Sequence, residues 1–181
     1  MIRVIDFLLA LIGLCLLWPV LLIICLIGYF DTGSPVFFQQ RVGKNRHLFT
    51  LIKFRTMPVD TQSVATHLVG KSSVTPLGGF LRKTKLDELP QLINVVKGDM
   101  SLVGPRPCLA NQQDVIEARE IRNVFTARPG ITGLAQIEDV DMSTPTRLAE
   151  LDAKMLESLT VSLYFSYIVK TVLGAGTGDR V

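Results

Sequence analysis

Cysteine is scarce in this chain, and what there is has no useful spacing. Cys15 and Cys25 lie in one apolar run and Cys108 lies far from both. Neither a disulfide framework nor a metal-ligand pattern can be built from them, and all three read as small buried hydrophobes. Internal repeats and low-complexity tracts are absent as well. At 181 residues the chain has room for one compact domain and little beyond it.

Charge is missing from one long stretch. Phe7 to Phe30, 24 residues between Asp6 and Asp31, carries none. As a single helix that run would extend about 36 Å, against about 30 Å for the hydrocarbon core of a bilayer. It reads as a membrane segment. Arg3 gives it a thin positive start, but its length and the lack of an A-x-A-like site argue against a cleaved signal. Arg41, Lys44 and Arg46 follow it, which favours a cytoplasmic location for that side and for the rest of the chain. Pro19 falls at the midpoint, where it deletes a helical hydrogen bond and crowds the carbonyl of Cys15. Each half would then be about 16 Å long. Composition fits a kinked span and fits a helix that enters and leaves on one face.

Acids are nearly missing from the next region. From Arg41 to Lys85, nine basic residues (41, 44, 46, 53, 55, 71, 82, 83 and 85) face Asp60 alone, a net of +8. Such a density suits anionic lipid head groups and substrate phosphates alike.

The remaining pattern is mixed. Asp31 to Pro35 reads as a turn, and Val36–Arg41 and Leu48–Phe54 as two short strands about a loop with Gly43 and Asn45. Residues 58–76 read as an irregular polar loop. Leu89, Leu92, Ile93 and Val96 recur at helical spacing, giving a helix from about Asp87 to Lys97 that Gly98 ends. Further helices are expected over 111–127, 145–158 and 159–173. The last is apolar enough for either a core position or the membrane interface.

Asp87 and Glu88 follow the basic stretch directly. Asp87 could cap the next helix. The same position would hold a carboxylate ionised at the end where phosphates approach. Two adjacent carboxylates are too close to work as a separated acid and base, and suit a nucleophile beside a ligand for Mg²⁺. Farther on, Pro105-Arg106-Pro107 fixes the direction of one guanidinium, which can hold phosphate through two hydrogen bonds. Its plain alternative is a rigid surface loop. Arg128-Pro129-Gly130-Ile131-Thr132-Gly133 is a second rigid turn with a candidate arginine.

Taken in order, Lys53-Phe54-Arg55-Thr56-Met57, the stretch Phe80 to Leu92 with Lys85-Leu86-Asp87-Glu88-Leu89-Pro90-Gln91, Gly98 to Pro107, and Arg128 to Gly133 resemble the bacterial sugar transferases, the monotopic phosphoglycosyl transferases. The resemblance covers nearly the whole chain and its motifs are long. It implies a mainly helical α+β fold, with a proline-broken re-entrant membrane helix (1–30), a cytoplasmic catalytic domain (31–181) and amphipathic interfacial helices. Pro19 would be the membrane break, with the protein monotopic on the cytoplasmic face of the bacterial inner membrane. It further implies that Asp87 attacks the β-phosphate of a UDP-sugar, releases UMP and passes the sugar phosphate to polyprenol (undecaprenyl) phosphate. Glu88, with Asp87, would hold Mg²⁺. Arg106, set by Pro105 and Pro107, would bind the nucleotide end, with Lys53, Arg55 and Arg82 lining the same pocket; Arg128 stays a candidate substrate ligand from its own turn. The implied partners are these substrates, membrane lipids and downstream glycosyltransferases of O-antigen, capsule, exopolysaccharide or glycoprotein assembly, and not nucleic acid. Small members point to an N-acetylated, 6-deoxy hexosamine as donor sugar.

Two departures from the family pattern stand out: Trp18 where serine often precedes the proline, and Ile137 to Asp141 where many members have asparagine-glycine-arginine. Two other functions compete: a glycosyltransferase that releases UDP, and a non-catalytic membrane scaffold. An aspartyl-phosphate phosphatase is disfavoured, because no D-x-D-x-T pattern surrounds Asp87.

Overall fold

A computed structural model describes residues 2–61 and 74–176. Lys71 and most of the expected loop at 58–76 lie outside the described residues. The fold is α+β and mainly helical. Helix α1 (Ile2–Thr32) is one continuous helix that runs through Pro19 without interruption. It is long and apolar enough to cross a membrane by length and composition.

One face of α1 packs along the rest of the protein, with contacts at the three- and four-residue spacing of a helix. Ala10 joins Leu51, Val95 and Met100 in one buried cluster. Ile24 joins Phe54 and Leu81 in another. Gly13 lies against Leu92 and Gly28 against Pro35. The opposite face, including Leu16, Trp18 and Phe30, is exposed. Polar residues fix the N-terminal end. Arg3 donates to the carbonyls of Val95 and Val96. Asp6, which is buried, accepts from Ser101 Oγ at 2.9 Å, Leu102 N at 2.8 Å and the Tyr164 hydroxyl at 2.6 Å. Burial beside that carboxylate pushes the Tyr164 hydroxyl well above its ordinary range.

Strands β1 (Val36–Val42) and β2 (Leu48–Phe54) form an antiparallel hairpin in which Phe37 faces Lys53 and Arg41 faces Phe49. Helix α2 (Pro76–Thr84) is capped by the Thr75 hydroxyl. A 3₁₀ turn, Leu86–Glu88, leads into α3 (Gln91–Lys97). Strand β3 (Ser101–Val103) pairs in parallel with β4 (Gly130–Thr132), a second sheet that the sequence reading missed. Between them lies α4 (Gln113–Glu120), shorter than the expected 111–127 and followed by a 3₁₀ turn at Val124–Thr126. Helices α5 (Leu134–Ile137), α6 (Pro145–Ser158) and α7 (Val161–Val172) complete the described chain. Helices α4 and α6 enclose one core of Val115, Ile116, Leu148 and Leu151.

Candidate active site

Asp87 does not cap the helix that follows. It lies inside the 3₁₀ turn, and α3 starts only at Gln91, with Pro90 in the capping position. The physical reason is local. Lys85 adopts a left-handed backbone at φ 58° to end α2, and the chain then closes i→i+3 bonds, Glu88 N to Lys85 O and Leu89 N to Leu86 O. That turn packs against β2 and α2 and leaves the Asp87 side chain 2% exposed.

Glu88 leaves the same turn towards Arg106, whose Nη2 donates to Glu88 Oε1 at 3.0 Å. The loop that carries Arg106 is held by its carbonyls, since its two prolines have no N–H to offer. Pro105 O accepts from Gly130 N at 2.9 Å, Arg106 O from Arg119 Nη1 at 2.7 Å, Pro107 O from Arg41 Nη1 at 3.0 Å, and Cys108 O from Val42 N at 2.9 Å. Four successive carbonyls are therefore anchored to β4, α4 and β1. Gly104 and Gly130 allow the approach: a Cβ at Gly130 would stand 2.0 Å from Gly104 N.

Two of these anchors are themselves buried cations. Arg41 is 8% exposed and gives Nε and Nη2 to Gln39 Oε1. Arg119 is 1% exposed and grips Asp152 Oδ2 with Nε at 2.9 Å and Nη2 at 2.7 Å. Burial pushes the Asp152 carboxyl above its ordinary value, against the pull of the Arg119 guanidinium. Burial likewise raises the Cys108 thiol. Neither Arg119 nor Asp152 was anticipated as a site component. A signal existed: each charge occupies an apolar-stripe position, Arg119 after Val115 and Ile116, and Asp152 between Leu148 and Met155.

A cleft brings Arg41, Lys53, Glu88, Gln91, Arg106 and Pro107 together. A second, more apolar cleft on the same loop is lined by Pro105, Arg106, Pro107, Phe125 and Pro129. Of the other expected residues, Arg55 gives Nε to Ser34 O at 2.8 Å and stacks 5.2 Å from the Phe37 ring centre, with Lys53 Nζ 5.8 Å from that centre. Arg82 gives Nε to Thr56 Oγ1 at 2.9 Å. Arg128 gives Nε to Gly98 O at 2.8 Å, at the far end of α3 from the Asp87 turn. Beside the turn, burial pushes the Lys85 amine below its ordinary value, with Glu88 and Asp139 pulling it back.

No group of three or more His, Cys, Asp or Glu converges among the described residues. A Mg²⁺ ion needs no such cage. It takes one or two carboxylates and completes its octahedron with water and substrate phosphate oxygens. Asp87 and Glu88 are adjacent in one turn and both are buried, and Glu88 lines the cleft.

The comparisons agree in class. Residues 1–177 match the family model for bacterial sugar transferase. The chain is 37% identical over 171 residues to the uncharacterized sugar transferase EpsL of Bacillus subtilis, covering 94% of this chain and 84% of that one. It is 41% identical over 149 residues to the UDP-glucose:undecaprenyl-phosphate glucose-1-phosphate transferase of Caulobacter vibrioides, covering 80% of this chain and 56% of the relative. With the undecaprenyl-phosphate galactose phosphotransferase of Salmonella typhimurium it shares 39% over 134 residues, 63% of this chain and 28% of that longer protein. The match runs through every motif of the site, and the chain belongs to the bacterial sugar transferase family.

Proposed function

We propose that this chain transfers a sugar 1-phosphate from a UDP-sugar to undecaprenyl phosphate through a covalent phosphosugar on Asp87, releasing UMP. The observation that carries the reading is the anchored Arg106 paired with Glu88, in the turn that also holds Asp87. A carboxylate oxygen of Asp87 attacks the β-phosphorus. The bond from that phosphorus to the bridging oxygen breaks, and UMP leaves with the electron pair. A phosphate oxygen of the lipid then attacks the same phosphorus and expels the Asp87 carboxylate, giving a polyprenyl diphosphate sugar. Arg106 meets the donor phosphates, and Arg41 and Lys53 supply positive charge along the cleft. Asp87 and Glu88 would hold Mg²⁺, which when bound neutralises diphosphate charge.

The packing of α1 also supports a monotopic position on the cytoplasmic face of the inner membrane. Asp6 and Gly28 both touch the one globular body, at Ser101 and at Pro35. Along a helix they stand about 33 Å apart, as much as the hydrocarbon thickness of about 30 Å. A helix crossing the bilayer would separate Asp6 from its partners Ser101 and Tyr164, so these contacts favour a placement of both ends on one face. Because α1 stays helical through Pro19, the re-entrant shape proposed here would be a bend of a continuous helix at that residue and not a break in it. The product would pass to downstream glycosyltransferases.

A panel of UDP-sugars, assayed with undecaprenyl phosphate and Mg²⁺, tests the function. One sugar should give UMP and a lipid diphosphate product. Release of UDP in its place would make the enzyme a simple glycosyltransferase and overturn the reading.

A further inference from the structure

Gln91 lines the cleft beside Arg41, Lys53, Glu88 and Arg106, a neutral amide among charged groups. It is the first residue of α3, three positions after Glu88 and four after Asp87. That helical spacing sets the Gln91 and Glu88 side chains on one face, and both reach the cleft. Gln91 is 5% exposed, and its amide has no hydrogen-bond partner among the described residues.

Asn94, three residues on, shows what a structural amide looks like in the same helix. It accepts from Ile52 N at 3.0 Å and donates to Thr50 O at 2.7 Å and to Asp99 Oδ2 at 3.2 Å. Gln91 has the same chemistry and none of these bonds. The unbonded amide of Gln136, by contrast, is sealed from solvent and outside the cleft. An amide buried with neither its N–H nor its carbonyl bonded is unfavourable, and an apolar side chain of that size would be the more stable choice. Its use lies in what enters the cleft. Phosphate oxygens only accept, and Arg41, Lys53 and Arg106 already supply donors for them. An amide offers a donor and an acceptor side by side, which a hydroxyl group answers with both of its own.

We propose that Gln91 is a specificity-determining residue whose amide binds a hydroxyl group of the donor sugar. This rests on the sugar-phosphate reading above, in which Asp87 attacks the phosphorus that carries the sugar. Gln91, one turn beyond Asp87, then stands beside the sugar-bearing end of the donor, and the arginines meet its phosphates.

The test uses the full-length membrane protein, with UDP, the UDP-sugar that the native enzyme turns over, and the monodeoxy analogues of that UDP-sugar as probes. Gln91→Met keeps the length and the helix preference and removes the amide. Its thermal midpoint should hold or rise, and its affinity for UDP, measured by calorimetry, should not change. Its kcat/KM for the UDP-sugar should fall about tenfold. One monodeoxy analogue should cost the native enzyme the same factor and cost Gln91→Met nothing more. Gln91→Asn, which withdraws the amide by one carbon, should repeat the donor loss if Gln91→Met folds poorly. Unchanged kcat/KM in both variants would make Gln91 a packing residue. An equal loss of UDP affinity would assign the amide to the nucleotide. Monodeoxy penalties identical in native and variant enzymes would separate Gln91 from the sugar. Each of these three results overturns the inference. UMP release by the native enzyme is scored first, so a failure of the transfer reading is distinguishable from a failure here.

Discussion

Two arginine–carboxylate pairs lie on either side of one loop, and they do different things with the same chemistry. Arg106–Glu88 closes at 3.0 Å with its side chains 28% and 11% exposed. Arg119–Asp152 closes at 2.7 Å with 2% and 0%. On the proposed function the open pair exchanges its partner for an incoming phosphate, a step eased by the part-exposed Arg106 side chain. The closed pair cannot, because either charge left alone would be buried without compensation. Arg119 also holds the carbonyl of Arg106, so the closed pair is the frame on which the open pair is mounted. Burial, more than distance, separates the two pairs.

The comparison breaks most sharply at Arg119. Arg119→Met should cost about 3–5 kcal/mol by stranding Asp152 in the core, read as a lowered denaturation midpoint. Adding Asp152→Leu should restore most of that stability. If the single variant is as stable as the native protein, the closed pair is no frame. Arg106→Lys should do the reverse. Stability should stay within about 1 kcal/mol, while kcat/KM falls about a hundredfold, because an ammonium cannot make the planar two-bond contact. Near-normal turnover would reduce Arg106 to a surface residue. The smallest effect is expected at Arg128. Its guanidinium serves the Gly98 carbonyl at the end of α3, so Arg128→Gln should cost about 1 kcal/mol of stability and leave KM for the donor unchanged. A raised KM would make Arg128 a substrate ligand, as its rigid turn first suggested.

How much of this was legible in the sequence varied with the range of the forces involved. The hairpin strands and α6 at 145–158 follow from local periodicity and from Pro145 at a helix start. The β3–β4 pair was not legible, since two three-residue strands joined across about thirty positions carry no period of their own. The Asp87 cap failed for a related reason: Lys85 turned left-handed and put a 3₁₀ turn where an α-helix was expected. Motifs identified Glu88 and Arg106, but only the fold shows that they meet. The same holds for Asp6, which looked like the edge of an apolar run and proves to be a buried acceptor tying α1 to β3 and α7.

The central claim is the covalent step, and one measurement addresses it directly. Native enzyme in detergent or nanodiscs is mixed with the UDP-sugar it accepts and no lipid, then quenched and analysed by peptide mass spectrometry. The account predicts at most one equivalent of UMP and a sugar-phosphate mass on the peptide that contains Asp87. Asp87→Asn, of the same shape but without the anion, should fold, reach the membrane and show neither. UMP that appears only once undecaprenyl phosphate is added, with no adduct on that peptide and substantial turnover by Asp87→Asn, would contradict the account and point to direct attack by the lipid.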